Sequence, residues 1–157
     1  MLAAIGVALA VLVTLGLAGR RATSRQAPAL PTAMLAGGRT TLRDMEQRTH
    51  GRSFVVLFFA SWCPPCRREA GSVAAFAQTY GAGRIIGVDE SDAAGSARAF
   101  VRQSGWTFPV ARDSAGEVGN AYEIADLPAV FVINGRGRIE TTLVGQQTRQ
   151  SLTNALG

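Results

Sequence analysis

Residues 53–66 decide the fold: they read SFVVLFFASWCPPC, a run of apolar residues that leads directly into two cysteines. The run from Ser53 to Phe59 is continuous and rich in β-branched and aromatic residues, which is typical of a strand covered on both faces. Pro64 and Pro65 then open a segment, Cys66 to Tyr80, whose apolar spacing predicts an amphipathic helix ended by glycines. The cysteines are therefore expected where a buried strand ends and a helix begins.

Strand and helix signals alternate along the rest of the chain. The predicted elements are a strand from Arg84 to Val88, a helix from Asp92 to Ser104 with Asp92 as its N-cap, a strand from Phe108 to Ala111, a helix from Ser114 to Tyr122, strands from Ala129 to Ile133 and from Arg138 to Val144, and a helix from Thr148 to Leu156. A Gly37-Gly38 pair between two short segments, Ala33 to Leu42, predicts a β-hairpin near the N-terminus. This alternation indicates an α/β fold with a mixed central sheet.

Length and charge narrow the class of protein. At 157 residues the chain is long enough for one domain with a hydrophobic core and too short for two ordinary ones. The formal net charge of +5 comes entirely from arginine, because the sequence contains no lysine. The arginines are scattered and not interleaved with aromatic residues, as a nucleic-acid surface would need. We therefore expect a solvated basic surface and no nucleic-acid partner.

The N-terminal segment has the character of a membrane anchor. Leu2 to Ala18 is an apolar run interrupted only by Thr14, about long enough to span a bilayer as a helix. We predict a transmembrane anchor over residues 1–19, a linker over residues 20–31, which contain polar residues, alanines and two prolines, and one folded domain over residues 32–157. No convincing cleavage site follows the run, which favours an uncleaved anchor. The arginines after the run favour a cytoplasmic domain by the positive-inside rule, so the sequence leaves the orientation open.

Cys63 and Cys66 are the only cysteines, three residues apart. A thiolate at a helix N-terminus is stabilised by the helix dipole and by unpaired backbone N–H groups, which lowers its pKa and makes it nucleophilic. Cys63 is expected to be this exposed, attacking thiolate. Cys66, one turn further along the helix, lies close enough to attack a mixed disulfide at Cys63 and release the product. The spacing therefore predicts a two-step thiol–disulfide exchange.

The two prolines between the cysteines bear on the direction of electron flow. Neither Pro64 nor Pro65 has a backbone N–H to donate to the sulfur of Cys63. We therefore expect a less stabilised thiolate than in pairs with ordinary residues between the cysteines. A less stabilised thiolate disfavours the dithiol form, which makes the protein a better reductant.

A Cys-x-x-Cys pair also serves other functions. Haem attachment needs histidine directly after the second cysteine, where this chain has Arg67. Zinc needs three or four ligands, which a sequence with two cysteines and one histidine, His50, does not obviously supply. Two thiolates are sufficient for Cu(I), so a metallochaperone that uses Cys63 and Cys66 remains the alternative function.

Together with several other segments, the cysteine segment resembles the thioredoxin-like superfamily, and in particular its membrane-anchored TlpA/ResA-like thiol-disulfide oxidoreductases. The features that match, spread over about Thr32 to Leu156, are Gly37-Gly38, Trp62-Cys63-Pro64-Pro65-Cys66, Glu69, residues 105–110 (GWTFPV), residues 122–124 (YEI), Leu127-Pro128 and residues 131–137 (FVINGRG). The resemblance implies a thioredoxin fold with an N-terminal β-hairpin and a central αβ insertion. It also implies thiol-disulfide oxidoreductase activity with no cofactor beyond the redox-active Cys63–Cys66 pair.

The resemblance assigns roles to residues around the cysteines. Pro128 would be a cis-proline that faces them and leaves the Leu127 backbone free to pair with a substrate chain. Trp62 would form a rigid apolar wall beside Cys63, the alternative being a buried packing role.

Glu69 matches an acidic residue that takes part in proton movement and in tuning the thiol pKa, the alternative being a surface carboxylate paired with an arginine. Leu57 occupies the strand position where many thioredoxins carry a buried acid. Glu69 is therefore expected to be the only carboxylate that serves the cysteines.

The same resemblance implies a cellular setting. The catalytic domain would lie outside the cytoplasm, in the bacterial cell envelope. Its partners would be client proteins with disulfides, among them apocytochrome c before haem attachment, and a membrane thiol reductant would resupply its electrons.

Overall fold

The central strand of the sheet, β2, spans Phe54–Phe59, and all six of its residues are buried. It is seen in a computed structural model that describes residues 24–157 of the chain. Successive side chains of the strand point to opposite faces, so that each face of the sheet receives three of them. Burial of one such side chain contributes about 1.5–3 kcal/mol. A run with no polar position is therefore most stable as a strand covered on both faces.

Five further strands and five α-helices lie within the described residues. The strands are β1 (Met34–Ala36), β3 (Ile85–Glu90), β4 (Val110–Asp113), β5 (Ala129–Ile133) and β6 (Ile139–Val144). The helices are α1 (Leu42–Arg48), α2 (Pro64–Tyr80), α3 (Ala94–Gln103), α4 (Glu117–Ala121) and α5 (Arg149–Leu156), and a short 3-10 helix spans Ala82–Arg84.

The strands form one mixed sheet in the order β1-β4-β3-β2-β5-β6. Strands β2, β3 and β4 are parallel to one another, whereas β5 and β6 on one side and β1 on the other pair antiparallel with their neighbours. Side chains of α2, α3 and α5 pack into the core on one face, and α1 packs into the core on the other. The predicted α/β fold with a mixed sheet is confirmed, and α3 with β4 forms an αβ unit that extends the sheet beyond β3.

The predicted N-terminal β-hairpin is wrong. β1 pairs with β4, with Met34 opposite Ala111, and not with a strand that follows Gly37. After the turn the chain forms α1, because Thr41 and Asp44 make a capping box: the Thr41 hydroxyl accepts the Asp44 N–H, and the Asp44 carboxylate accepts the Thr41 N–H. A capped helix satisfies backbone groups that a second strand would have had to pair.

The predicted N-cap of the second long helix is also wrong. α3 begins at Ala94 and its N-cap is Ala93, which has no side-chain cap. The Asp92 carboxylate instead accepts the backbone N–H groups of Ser61, at 2.6 Å, and of the adjacent Ala93. Asp92 is therefore attached to the loop that precedes the cysteines.

The predicted start of the domain at residue 32 is too late, because residues 24–30, which the structure describes, already pack against it. Ala27 and Leu30 are buried in the core beside α1. The hydroxyl of the buried Tyr122 donates a hydrogen bond to the Pro28 carbonyl, and the Ala27 N–H donates to Gly137. Residues 24–30 thus form part of the domain, although their composition is that of a linker.

The predicted anchor, residues 1–19, lies outside the described residues. None of the helices within residues 24–157 is long and apolar enough to cross a bilayer.

Deleting residues 1–31 is therefore expected to destabilise the domain relative to deleting residues 1–23. The shorter chain loses the burial of Leu30 and Ala27 and the acceptor of the Tyr122 hydroxyl, which together are worth about 3 kcal/mol. Urea unfolding of the two fragments measures the difference, and coincident transitions would show that residues 24–31 contribute nothing to the fold.

Candidate active site

In the structure, the two cysteines are joined by a disulfide at the N-terminus of α2. Cys63 is the N-cap residue of the helix, and its Cα atom lies 5.3 Å from that of Cys66. The Cys66 N–H donates a hydrogen bond to the Cys63 sulfur over 3.2 Å. Pro64 and Pro65 occupy the first two helical positions, where proline fits because these N–H groups have no partner within the helix. The local sequence therefore places Cys63 at the positive end of the helix dipole.

A groove of about 320 Å³ opens beside Cys63. Its lining residues come from the cysteine segment, the end of β3 and the loop before β5, and they are Trp62, Cys63, Pro64, Pro65, Glu90, Ile124, Ala125, Asp126 and Leu127. Trp62 is 57% exposed, and its indole N–H donates to the Ser91 carbonyl. A tryptophan fixed in this way forms a wall of the groove and does not fill the core.

The prediction that the Cys63 side chain is exposed is wrong for this disulfide-bonded state. Cys63 is 2% exposed and Cys66 is fully buried. The two residues still differ in access, because Cys63 lines the groove and Cys66 does not. The groove is therefore the side from which the Cys63 side chain can be contacted.

Leu127 lines the groove, and Pro128 directly follows it in the chain. The Leu127–Pro128 peptide bond is cis, and the Pro128 carbonyl accepts the Gly145 N–H at the end of β6. This hydrogen bond attaches the start of β5 to the end of β6, and Leu127, just before it, lines the groove. The structure thus brings Trp62, Cys63 and Leu127 together around one opening.

Glu69 lies on α2, one turn beyond Cys66, and does not line the groove. It is 1% exposed, which rules out the surface role left open by the sequence. One carboxylate oxygen accepts the Gln147 N–H at 2.7 Å, and the other has no hydrogen-bond partner among the described residues. Burial raises the pKa of Glu69 to about 7, although the hydrogen bond from Gln147 opposes the shift. The carboxyl can therefore gain and lose a proton near neutral pH.

A second buried carboxyl group, Asp89, lies on the same face of the sheet as Leu57. Leu57 itself is apolar and buried in the core, as its sequence implies. Asp89 is on β3, next to β2, and pairs in register with Phe59. Glu69 is therefore not the only buried glutamate or aspartate among the described residues, and that it alone serves the cysteines stays a prediction. A sequence signal was present: Asp89 follows Ile85 and Gly87 at the strand period of two, which predicts an inward-facing side chain.

Ser61, two residues before Cys63, is held from two directions. Its N–H donates to Asp92, and its carbonyl accepts a hydrogen bond from Nε of Arg67 over 2.7 Å. Arg67 directly follows Cys66 on α2. Ser61 is therefore connected to the cysteine pair twice, through the chain before Cys63 and through the Arg67 hydrogen bond after Cys66. Within residues 24–157, no group of three or more His, Cys, Asp or Glu side chains is placed to hold a metal ion.

Comparison with known proteins gives the family. The model of the AhpC/TSA family matches residues 23–142. The chain belongs to this family. Relatives include the thiol-disulfide oxidoreductase ResA of Bacillus thuringiensis, 28% identical over 134 residues that cover 84% of this chain and 75% of the relative. Another is a thiol:disulfide interchange protein DsbE homolog of Paracoccus denitrificans, 34% identical, with 83% of this chain and 70% of the relative covered.

Among solved structures, a thioredoxin-family thiol:disulfide interchange protein from Chlorobium tepidum superposes with a TM-score of 0.71 over 87% of this chain and 99% of that one. At 23% identity it supports the thioredoxin-like fold alone. The resemblance seen in the sequence is thus confirmed, and this AhpC/TSA family member is a thiol-disulfide oxidoreductase.

Replacement of Glu69 by Gln in this oxidoreductase is expected to change the pH dependence of thiol alkylation. A nearby carboxylate disfavours a thiolate, so the amide should lower the pH of half-maximal alkylation of the reduced protein by roughly half a unit. Alkylation rates between pH 5 and 9 measure the shift. Glu117→Gln, at an exposed position at the start of α4, is the control and should match the parent. Superimposable profiles for Glu69→Gln and the parent would remove Glu69 from the active site.

Proposed function

We propose that this oxidoreductase reduces disulfides of client proteins outside the cytoplasm while residues 1–19 hold it to a membrane. The observation that carries the proposal is the position of Cys63, at the N-terminus of α2 and on the wall of a groove shared with Leu127. A client chain that enters this groove meets a reactive sulfur on one side and an open loop on the other.

The reaction has two exchanges. In the reduced protein the Cys63 thiolate attacks a client disulfide, so that a new S–S bond joins Cys63 to one client sulfur and the other client sulfur leaves and takes up a proton. Cys66, once deprotonated, then attacks the Cys63 sulfur of this mixed disulfide. The Cys63–Cys66 disulfide forms, the second client sulfur leaves as a thiol, and two electrons have passed to the client.

Deprotonation of the buried Cys66 needs a proton acceptor. Glu69 lies one turn further along α2 and is itself buried. Because burial brings its pKa to about 7, Glu69 is a suitable base for a thiol in the same environment. We assign it the role of taking the Cys66 proton, directly or through water.

The proposed direction, reduction of the client, rests on the donors around Cys63. The Cys66 N–H donates to the Cys63 sulfur, whereas Pro64 and Pro65 have no N–H to offer. A thiolate with few donors favours the disulfide form of the protein, and a protein that favours its own disulfide reduces others.

The proposed anchor is compatible with access to the groove. Ser24, at the start of the described chain, accepts a hydrogen bond from Arg138, in the turn that follows β5. Pro128 precedes β5, so the groove and the entry of the chain lie at opposite ends of this strand. A membrane-bound segment before Ser24 would therefore join the domain at the end of β5 that lies farther from Leu127 and the groove.

The proposed clients include apocytochrome c, the client class that the family resemblance implies, and the proposed source of electrons is a membrane thiol reductant. Both are testable by trapping, because the mechanism has a covalent intermediate.

Cys66→Ser is expected to trap clients on Cys63, because the attack remains possible and the resolving thiol is gone. Cys63→Ser is the matched control with the same number of thiols, and it should trap several-fold less because Cys66 does not line the groove. The assay is non-reducing gel electrophoresis of membranes that contain each variant, followed by reduction and identification of the released proteins.

Two results would contradict the proposal. Equal trapping by the two variants, or none by either, would show that Cys63 is not the attacking sulfur. Trapped proteins that are all cytoplasmic would place the domain on the other side of the membrane, and an apocytochrome among them would identify the client.

A further inference from the structure

Asp89 is a buried carboxyl group with no role in the exchange described above. It is fully buried in β3, and neither of its carboxylate oxygens has a hydrogen-bond donor among the described residues. An ionised carboxylate in such a place is costly, because burial removes its water and no donor replaces it. A protonated carboxyl would avoid most of this cost.

The carboxyl group of Asp92 is the neighbour that can accept such a proton. Asp89 pairs with Phe59 near the end of β2 and β3, and the Asp92 carboxylate accepts the N–H of Ser61, two residues beyond Phe59, so the two carboxyl groups lie at the same end of these strands and interact with each other. Both Asp92 oxygens already accept backbone N–H groups. Two adjacent carboxyl groups form a hydrogen bond only when one of them is protonated, since two carboxylates repel each other. One proton held between Asp89 and Asp92 therefore satisfies both groups.

The other charges around Asp89 do not replace this proton. Burial is the main cause that raises the pKa of Asp89 to about 7, and the negative charges of Asp92 and, more weakly, Asp113 act in the same direction. Arg112 lies opposite Asp89 on β4 and its charge opposes the shift, but one guanidinium nitrogen donates to the backbone carbonyl of Asp92, and Nε donates to no group among the described residues, Asp89 included. The residue opposite Asp89 on β2 is the uncharged Phe59.

The acid pair is connected to the cysteines through Ser61. Asp92 accepts the Ser61 N–H at 2.6 Å, and the Ser61 carbonyl accepts a hydrogen bond from Arg67, the residue after Cys66. Any change in the charge or position of the Asp92 carboxylate therefore acts on the segment that ends at Cys63.

We propose that Asp89 and Asp92 share one proton, and that this acid pair is a positioning element that makes the reactivity of Cys63 depend on pH through Ser61. The second part rests on the proposed role of Cys63 as the attacking sulfur. The first part is independent of that role, because the shared proton exists whichever sulfur attacks.

Loss of the shared proton has a defined consequence for the thiol. Near and above neutral pH the pair then carries two negative charges in place of one. An added negative charge close to the active site disfavours the Cys63 thiolate and raises its pKa. The reactivity of Cys63 should therefore rise less steeply with pH in the parent protein than in a variant whose pair cannot lose its proton.

Asp89→Asn creates such a variant, because the amide can donate to Asp92 at every pH and carries no charge. Asp113→Asn is the matched control: it makes the same chemical change at a buried aspartate of β4 whose carboxylate accepts the Gly119 N–H. Both are made in the full chain, and also in the Glu69→Gln background because Glu69 titrates in the same pH range.

Two measurements test the proposal. Carboxyl ¹³C NMR of the oxidised protein should show Asp89 and Asp92 shifting together near neutral pH, and Asp92 of the Asp89→Asn variant should lose this step. In the reduced protein, Cys63 of Asp89→Asn should be alkylated about threefold faster than the parent at pH 8, which corresponds to half a pKa unit, with little difference at pH 5.5. The Asp113→Asn control removes only the weaker of the two neighbouring negative charges, so it should keep the shared step at a slightly lower pH.

The NMR titration shows whether Asp89 and Asp92 share a proton. The alkylation rates show whether that proton affects the reactivity of Cys63. If Asp92 of the parent titrates alone in the ordinary acidic range, the pair does not exist. If the shared step is present but the alkylation profiles of Asp89→Asn and the parent coincide, the pair does not act on Cys63. If Asp89→Asn does not fold, Asp92→Asn replaces it: its amide donates to Asp89, and the Asp89 titration should then move well below neutral pH.

Discussion

The position of Cys63 depends on the complete burial of β2. The strand is fixed in register by β3 on one side and β5 on the other, and a slip of one residue would exchange the side chains of the two faces. Because both faces are covered, the end of the strand is placed firmly, and the loop that follows delivers Cys63 to the N-terminus of α2. The helix dipole and the Cys66 N–H can act on the sulfur only because the strand ends there.

Local patterns in the sequence predict the strands and helices that carry the site. They do not predict which strands pair or which loops are buried, because these depend on residues that are distant in the chain. β5 is predicted at the same residues that the structure shows, Ala129–Ile133, because a continuous apolar run between turn residues has one stable outcome. The glycine pair Gly37-Gly38 indicates a turn but not its partner, which is β4, more than seventy residues away along the chain. Residues 24–31 bury only a few side chains, so their composition resembles that of a linker.

The residues of the candidate site also divide into those that a local motif predicts and those that depend on packing. Cys63, Cys66, Trp62 and Pro128 are visible in the sequence because each belongs to a motif, whereas the environments of Glu69 and Asp89 arise from packing. Both carboxyls have folded-state pKa values of about 7, above their ordinary values near 4, so the folded state binds more protons than the unfolded chain within that window. Stability should therefore fall as pH rises from about 4 to 7. Raised pKa values of buried acids are common near functional sites.

The equilibrium reduction potential of the Cys63–Cys66 pair in the full chain shows whether this oxidoreductase is a reductant. A pair with only the Cys66 N–H to stabilise the thiolate, and with prolines at both intervening positions, should equilibrate reversibly with a thiol buffer at a potential near or below roughly −230 mV, as in reducing members of this fold. A potential near roughly −120 mV, typical of a strong disulfide oxidant, or a pair that does not exchange with the buffer, would show that the protein does not act as a reductant.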